Sequence, residues 1–171
     1  MNRFELTNDL CTGITDIDDQ HRTILELGNR VVALSAIRED EKIIEEALRF
    51  LTDYVVYHFA AEEYAMTQFR FPNADHHRAW HGRFRNEVLG YVDRTKIIGL
   101  PKDLRLQVSF AFENWLLEHV RITDLGLARF LQQHRDKEEV SLPTVGALET
   151  AGKLPAGFVD RIAAISLPGP A

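Results

Sequence analysis

The sequence predicts an all-α protein, an antiparallel up-down four-helix bundle followed by a C-terminal extension. Three observations predict it. Four long segments carry apolar residues at steps of three and four, short turn-forming stretches separate them, and no segment alternates as a strand would.

The first helix spans about Asp18 to Ile37, where Ile24, Leu27, Val31 and Leu34 form one stripe. A second runs from about Asp40 to Phe69 with Ile44, Leu48, Leu51 and Val55 on one face, and it stops before Pro72. Phe71-Pro72-Asn73 reads as a turn, and Asn73 can cap a third helix that reaches about Lys96 and carries Phe84, Val88 and Tyr91. Gly99 and Pro101 break the chain. The fourth helix starts near Pro101, carries Leu104, Val108, Ala111, Phe112 and Trp115, and continues to about Gln133, although Gly126 weakens its last third.

After Arg135 the composition changes, with Pro143, Pro155, Pro168 and Pro170 set among glycines and small residues. The expected organisation is therefore one helical domain over residues 1–135 and a loosely ordered tail over 136–171. Within the tail, Phe158 to Ile165 has the pattern of one short amphipathic helix, better suited to docking on the bundle than to binding a partner protein.

The totals narrow the function. A chain of 171 residues that is 45% apolar can bury one sizeable core. Its net charge of −6, with both signs mixed along the length, offers no basic stripe and so excludes nucleic acid as the expected partner. No apolar run approaches the roughly 18 residues of a membrane span, so no membrane association is expected. The first ten residues lack the basic start and apolar run of an export signal, and the lone Cys11 excludes an internal disulfide and a thiolate-rich metal site. The cytosol is the expected compartment.

The histidines carry the chemistry. His58 and Glu62 are four apart and continue the apolar stripe of the second helix beyond Val55. His77 and His81 repeat that spacing on the third helix ahead of Phe84 and Val88; on the fourth, His119 follows Trp115 by four residues and Asp124 follows by five more. His21 precedes Ile24 at the start of the first helix. Each of these positions faces an interior that should be dry. Polar groups buried there without partners cost on the order of 2–7 kcal/mol each, so they must be paired or bound to metal.

Pairs at i and i+4 can grip one ion from a single helix, and nitrogen and oxygen donors without thiolate suit iron, with zinc, copper or manganese also compatible. Five imidazoles and two carboxylates exceed what one ion ordinarily takes, so two ions bridged by the carboxylates are expected. One HxxxH doublet is weak evidence, because 7 histidines in 171 residues yield about 0.3 by chance; the weight rests on the joint arrangement. Taken singly, His21 could simply begin a helix beside Asp18 and Asp19, and His58 with Glu62 could be a surface pair. Glu63 is read as a carboxylate that is solvated or accepts the far N–H of a histidine, and His76 and His134 as surface residues. The step from His119 to Asp124 turns about 140° on a regular helix, so a local π-bulge is expected to bring both inward.

Together, Ile17-Asp18-Asp19-Gln20-His21, His58-Phe59-x-x-Glu62-Glu63, His77-x-x-x-His81 and Trp115-Leu116-x-x-His119-Val120-x-x-x-Asp124 resemble the successive signatures of the hemerythrin family over about residues 4 to 133. Gly13-Ile14, Met66 and Phe71-Pro72 are similar to its bacterial members. The sequence departs from that pattern at Leu6, where tryptophan is common, at Thr12, usually apolar, and at Leu125-Gly126; no departure removes a donor. The resemblance implies that His77, His81 and His119 hold one iron, that His21 and His58 hold the other, and that Glu62, Asp124 and an oxo or hydroxo group bridge them. It also implies reversible dioxygen binding at the two-histidine iron, in a pocket walled by Ile24, Phe59, Trp115, Leu116 and Val120. A carrier rather than an enzyme is expected, since no spare acid or base is evident in that pocket. The alternatives are an oxygen or redox sensor that signals to a protein partner through the tail, and a di-iron oxidase or peroxidase.

Overall fold

A computed structural model describes residues 4–37, 39–98, 103–111, 116–133 and 141–164, and these are all-helical with no strand among them. Helix α1 spans Thr15–Ile37, α2 Glu41–Gln68, α3 Ala74–Ile98, and α4 Leu104–Ala111. The chain then resumes in α5, Leu117–His119, passes through a π-helical segment at Val120–Asp124, and continues as α6, Leu125–Gln133. Two short helices follow, α7 at Val145–Thr150 and α8 at Phe158–Ala163. The side chains of Val88, Tyr91, Leu104, Val108, Phe112, Trp115, His134 and Ile165 lie outside the described residues, as does the expected break at Gly99 and Pro101.

Helix α1 begins three residues earlier than its apolar pattern indicates. Asp18 does not cap it. Instead the carboxylate of Asp18 turns back onto the preceding loop and accepts from Thr12 N at 2.7 Å, Thr12 Oγ1 at 2.8 Å and Gly13 N at 3.1 Å. Gly13 takes a left-handed φ of 74°, and a Cβ there would meet Gln132 Nε2 at 3.0 Å, the same amide that donates to the Thr12 carbonyl. The loop is thus tied to both α1 and α6.

Asp40 caps α2 by accepting from Lys42 N at 2.9 Å. The helix ends in a Schellman turn, in which Phe71 N bonds to the Met66 carbonyl at 2.9 Å and Arg70 N to Thr67 O at 3.3 Å. Arg70 occupies the left-handed position, φ 54°, before Pro72 prevents continuation. This turn swings the chain directly into α3, as the Phe71-Pro72-Asn73 pattern anticipates.

The interior consists of two apolar clusters. One gathers Ile24, Leu27 and Val31 of α1 with Ile44, Leu51, Val55 and Phe59 of α2, Phe84 of α3, and Leu116. The other gathers Ile14 and Ile17 with Ala61, Ala65, Met66, Leu127 and Leu131. Along α1 the chain meets the second cluster first, whereas along α2 it meets the first cluster first. Histidine and carboxylate positions fall between the two.

The C-terminal extension differs from the expected loose tail with one helix. Leu142, Leu148, Leu154 and Phe158 are buried and complete the second cluster, and α7 and α8 both pack on α2. Polar contacts reinforce the docking. Leu142 N donates to Asp16 Oδ2 at 2.7 Å, and Arg161 approaches Asp53 at 3.6 Å. Glu149 braces the two short helices together by accepting from Gly157 N at 2.7 Å and Val159 N at 2.9 Å. A buried leucine in this extension should therefore behave as a core residue. Leu148→Ala is expected to lower the urea-measured stability by about 2–4 kcal/mol. A loss below about 0.5 kcal/mol would show that the extension does not share the core.

Candidate metal centre

All seven donors expected from the sequence are buried and lie together. His58, Glu62, His81, His119 and Asp124 are 0% exposed, His77 is 1% and His21 2%. Their ligand atoms form two groups, one of His77, His81, His119, Glu62 and Asp124 and one of His21, His58, Glu62 and Asp124, each with its atoms within 4.8 Å of one another. Glu62 and Asp124 belong to both.

Four helical segments deliver them. The i, i+4 steps place His58 above Glu62 on α2 and His77 above His81 on α3. The five-residue step from His119 to Asp124 is resolved by the π segment, where Leu125 N bonds to the Val120 carbonyl five residues back. One extra residue in that turn carries Asp124 round to the interior face that His119 already occupies, as the 140° mismatch requires.

The geometry is that of atoms aimed at common points. His77 Nε2 lies 3.0 Å from Asp124 Oδ1 and 3.3 Å from Glu62 Oε2; His81 Nε2 lies 3.2 Å from Glu62 Oε2, and His119 Nε2 3.0 Å from Asp124 Oδ1. On the other side His21 Nε2 is 3.1 Å from Asp124 Oδ2 and His58 Nε2 3.8 Å from Glu62 Oε2. Despite this closeness, Nε2 of His58, His77 and His81 and both oxygens of Glu62 make no hydrogen bond among the described residues. Buried polar atoms are rarely left so. Neighbouring ligands around one metal ion, with bonds of about 2.1 Å, stand about 3 Å apart and point at the ion rather than at each other. The donor set therefore fits a metal, and its nitrogen and oxygen chemistry without sulfur fits iron among the candidates.

Three of the five imidazoles are oriented from behind. Gln20 Oε1 lies 2.9 Å from His58 Nδ1, Glu63 Oε1 2.9 Å from His81 Nδ1, and Thr123 Oγ1 2.7 Å from His119 Nδ1. Since the Thr123 hydroxyl proton is directed to the His119 carbonyl at 2.6 Å, its oxygen accepts from Nδ1. Each such bond keeps a proton on Nδ1 and leaves the Nε2 lone pair facing inward. Glu63 thus accepts the far N–H of a histidine, as anticipated, and Arg85 holds it in place at 2.6 Å. His76 is exposed, also as anticipated. The roles of Gln20 and Thr123 are not apparent from residue type. The available signal for Thr123 was its position four residues after His119 and next to Asp124. Gln20, adjacent to His21 but serving His58 on another helix, gave none.

Charge states complete the picture. Burial pushes His58 down to about 3 and lowers His119 as well, so both stay neutral with lone pairs available. Burial opposes ionisation of Glu62 and Asp124, but the surrounding imidazoles outweigh it and hold both carboxyls well below the usual range. Burial also works against a charged His77, yet its contacts with Asp124 and Glu62 raise it to about 10. For His77 to serve as a metal ligand, that proton would have to leave Nε2.

Apolar residues close the site. Phe59 stacks on His81 with ring centroids 3.9 Å apart and meets His119 and Phe84 edge-on at 5.8 and 5.9 Å. Ile24 and Leu116 share its cluster, and Val120 is buried next to His119. Trp115, the remaining expected wall residue, lies outside the described residues.

Comparison with known proteins agrees with this geometry. The family model described as "Hemerythrin HHE cation binding domain" matches residues 12–131. The chain is 29% identical to a "Hemerythrin-like protein" of Naegleria gruberi over 122 residues, covering 71% of this chain and 88% of the relative. It is 30% identical over 128 residues to a "Bacteriohemerythrin" of Stenotrophomonas maltophilia, covering 74% of this chain and 80% of that one. A "Bacteriohemerythrin" of Pseudomonas aeruginosa is 31% identical over 119 residues, covering 70% and 75%. No solved structure matches the chain.

The shifted groups set the pH dependence of the metal-free chain. His58, held at about 3 in the fold against 6.5 ordinarily, contributes stability that is lost as pH falls from 6.5 towards 3. Glu62 and Asp124, both depressed, add losses in the same direction as pH falls below their ordinary values of 4.5 and 3.8. His77, raised, contributes stability that is complete below 6.5 and lost as pH rises through about 10. Urea midpoints of the metal-free chain are expected to peak near pH 6.5 and fall on both sides. Midpoints that rise as pH drops from 6.5 to 4 would contradict these charge states.

Proposed function

The chain belongs to the hemerythrin family, and from that membership we propose that it binds dioxygen reversibly at a non-heme, carboxylate-bridged di-iron centre, as an oxygen carrier or store. The observation that carries this reading is the convergence of seven buried donors into two groups that share Glu62 and Asp124. In this reading the helices form an up-down-up-down antiparallel bundle. The order in which α1, α2, α3 and the segment from Leu116 to Leu131 meet the two apolar clusters, reversing each time, supports that topology.

His77, His81 and His119 would hold one iron, His21 and His58 the second, and the carboxylates of Glu62 and Asp124 both. Two ferrous ions held there would supply electrons for reversible binding of dioxygen. The protein's share is to orient and to exclude. Gln20, Glu63 and Thr123 set the ring directions, and second-shell bonds of this kind are worth roughly 10–100-fold in metal affinity. With three imidazoles for one iron and two for the other, the His21 and His58 side would be the one with room for dioxygen. Phe59, Ile24, Leu116 and Val120 keep water away, which disfavours escape of charged reduced oxygen.

A binding role is favoured over an enzymatic one because the polar side chains at the site are committed. Seven serve the metals, and Gln20, Glu63 and Thr123 are hydrogen-bonded to the imidazoles. Among the described residues, these side chains leave no spare general acid or base at the site. The extension's buried leucines and Phe158 pack within this chain, which favours a carrier over a sensor that signals through a free tail.

The purified ferrous protein is expected to gain a visible absorption band on exposure to oxygen and to lose it on degassing, through repeated cycles. Oxidation that does not reverse would discard the carrier reading. His58→Ala is expected to retain about one iron per chain and to lose the oxygen-dependent band. Full iron content with an intact band in that variant would contradict the ligand assignment.

A further inference from the structure

A hydrogen-bonded chain runs behind His58 that metal ligation by itself does not require. Tyr57 precedes His58 on α2, so its side chain departs about 100° round the helix, away from the donors. It reaches back to the site through α1. Gln20 Nε2 donates to Tyr57 Oη at 3.2 Å, while Gln20 Oε1 accepts from His58 Nδ1 at 2.9 Å. Gln20 is only 5% exposed, so bulk water is no ready substitute for either partner.

A side-chain amide can face either way, and here the two orientations have opposite consequences. With its oxygen towards His58, the imidazole carries its proton on Nδ1 and offers the Nε2 lone pair to a metal. With its NH2 towards His58, Nδ1 becomes the acceptor, the proton moves to Nε2, and that nitrogen cannot ligate. In the structure the Tyr57 hydroxyl accepts from the Gln20 NH2 group on the far side, and that bond holds the amide in the first orientation. We propose that Tyr57 is a positioning residue that fixes Gln20 and, through it, the tautomer and ring direction of His58, and so tunes one of the two metal positions without touching the other.

Two observations confine the effect to one position. His81 and His119 have their own orienting partners in Glu63 and Thr123. Nδ1 of His21 and of His77 has no hydrogen-bond partner among the described residues. Among the described residues, the hydrogen-bonded link to Tyr57 runs to the imidazole of His58. The phenol ring itself packs against the cluster that Leu142, Leu148, Leu154 and Phe158 complete, so the C-terminal extension helps to hold this positioning residue.

The inference rests on the dinuclear reading above, and one titration separates the two. Ferrous ion is added anaerobically, against a competing chelator, to the metal-free full-length chain and its variants. The wild type is expected to show two binding steps. In Tyr57→Phe one step should weaken about tenfold while the other stays unchanged. Tyr54→Phe, whose ring meets that of Tyr57 edge-on at 5.6 Å and whose hydroxyl lies by Thr23, should leave both steps unchanged. In a Gln20→Leu background, Tyr57→Phe should add nothing, because its action passes through the amide. The proposal is overturned if Tyr57→Phe binds both ions as tightly as wild type, weakens both alike, or adds its full effect to Gln20→Leu. A wild type that takes up a single ion overturns the dinuclear reading, and this inference with it.

Discussion

The constraint on which the rest depends is the enclosure of seven metal-seeking side chains between two apolar clusters. Five imidazoles and two carboxylates occupy the interior of a small helical protein, with five of their nitrogen and oxygen atoms buried, facing inward and without a hydrogen bond among the described residues. An interior of this kind is costly unless cations repay the desolvation, since unsatisfied buried polar groups each cost several kcal/mol. Metal binding would therefore be coupled to folding, with a pH-sensitive centre in the metal-free chain and a rigid one in the loaded chain.

The architecture is organised around that enclosure. The i, i+4 pairs on α2 and α3 need only regular helix, whereas the pair His119 and Asp124 needs an irregular one, and the π segment at Val120–Asp124 provides it. Phe59 joins both demands, since it belongs to an apolar cluster and stacks on His81. Outside the donors, the bonds from Gln20, Glu63 and Thr123 turn rings that could point either way into rings that point inward, so the site is built in two layers.

Much of this was legible from the sequence because the donors fall at helical spacing on apolar stripes. His58 with Glu62 and His77 with His81 are periodic signals, and the five-residue step to Asp124 called for the π-bulge before any coordinates did. Other features depend on contacts that spacing does not encode. Gln20 belongs to α1 but orients a histidine on α2, a relation that only tertiary packing creates. Helix α1 starts at Thr15, ahead of its apolar stripe, and the tie from Asp18 in its first turn to the Thr12–Gly13 loop is a contact that the stripe does not encode. In the extension, Leu142, Leu148, Leu154 and Phe158 follow no single period, and Pro143 and Pro155 suggest looseness; yet their burial against α2 makes this segment part of the interior.

Iron K-edge X-ray absorption of the chain loaded anaerobically with ferrous ion tests the central claim most directly. The account predicts a shell of nitrogen and oxygen ligands, without sulfur, and a second iron roughly 3.5–4 Å from the first. A spectrum of isolated iron with no metal neighbour, or one containing sulfur ligands, would contradict it.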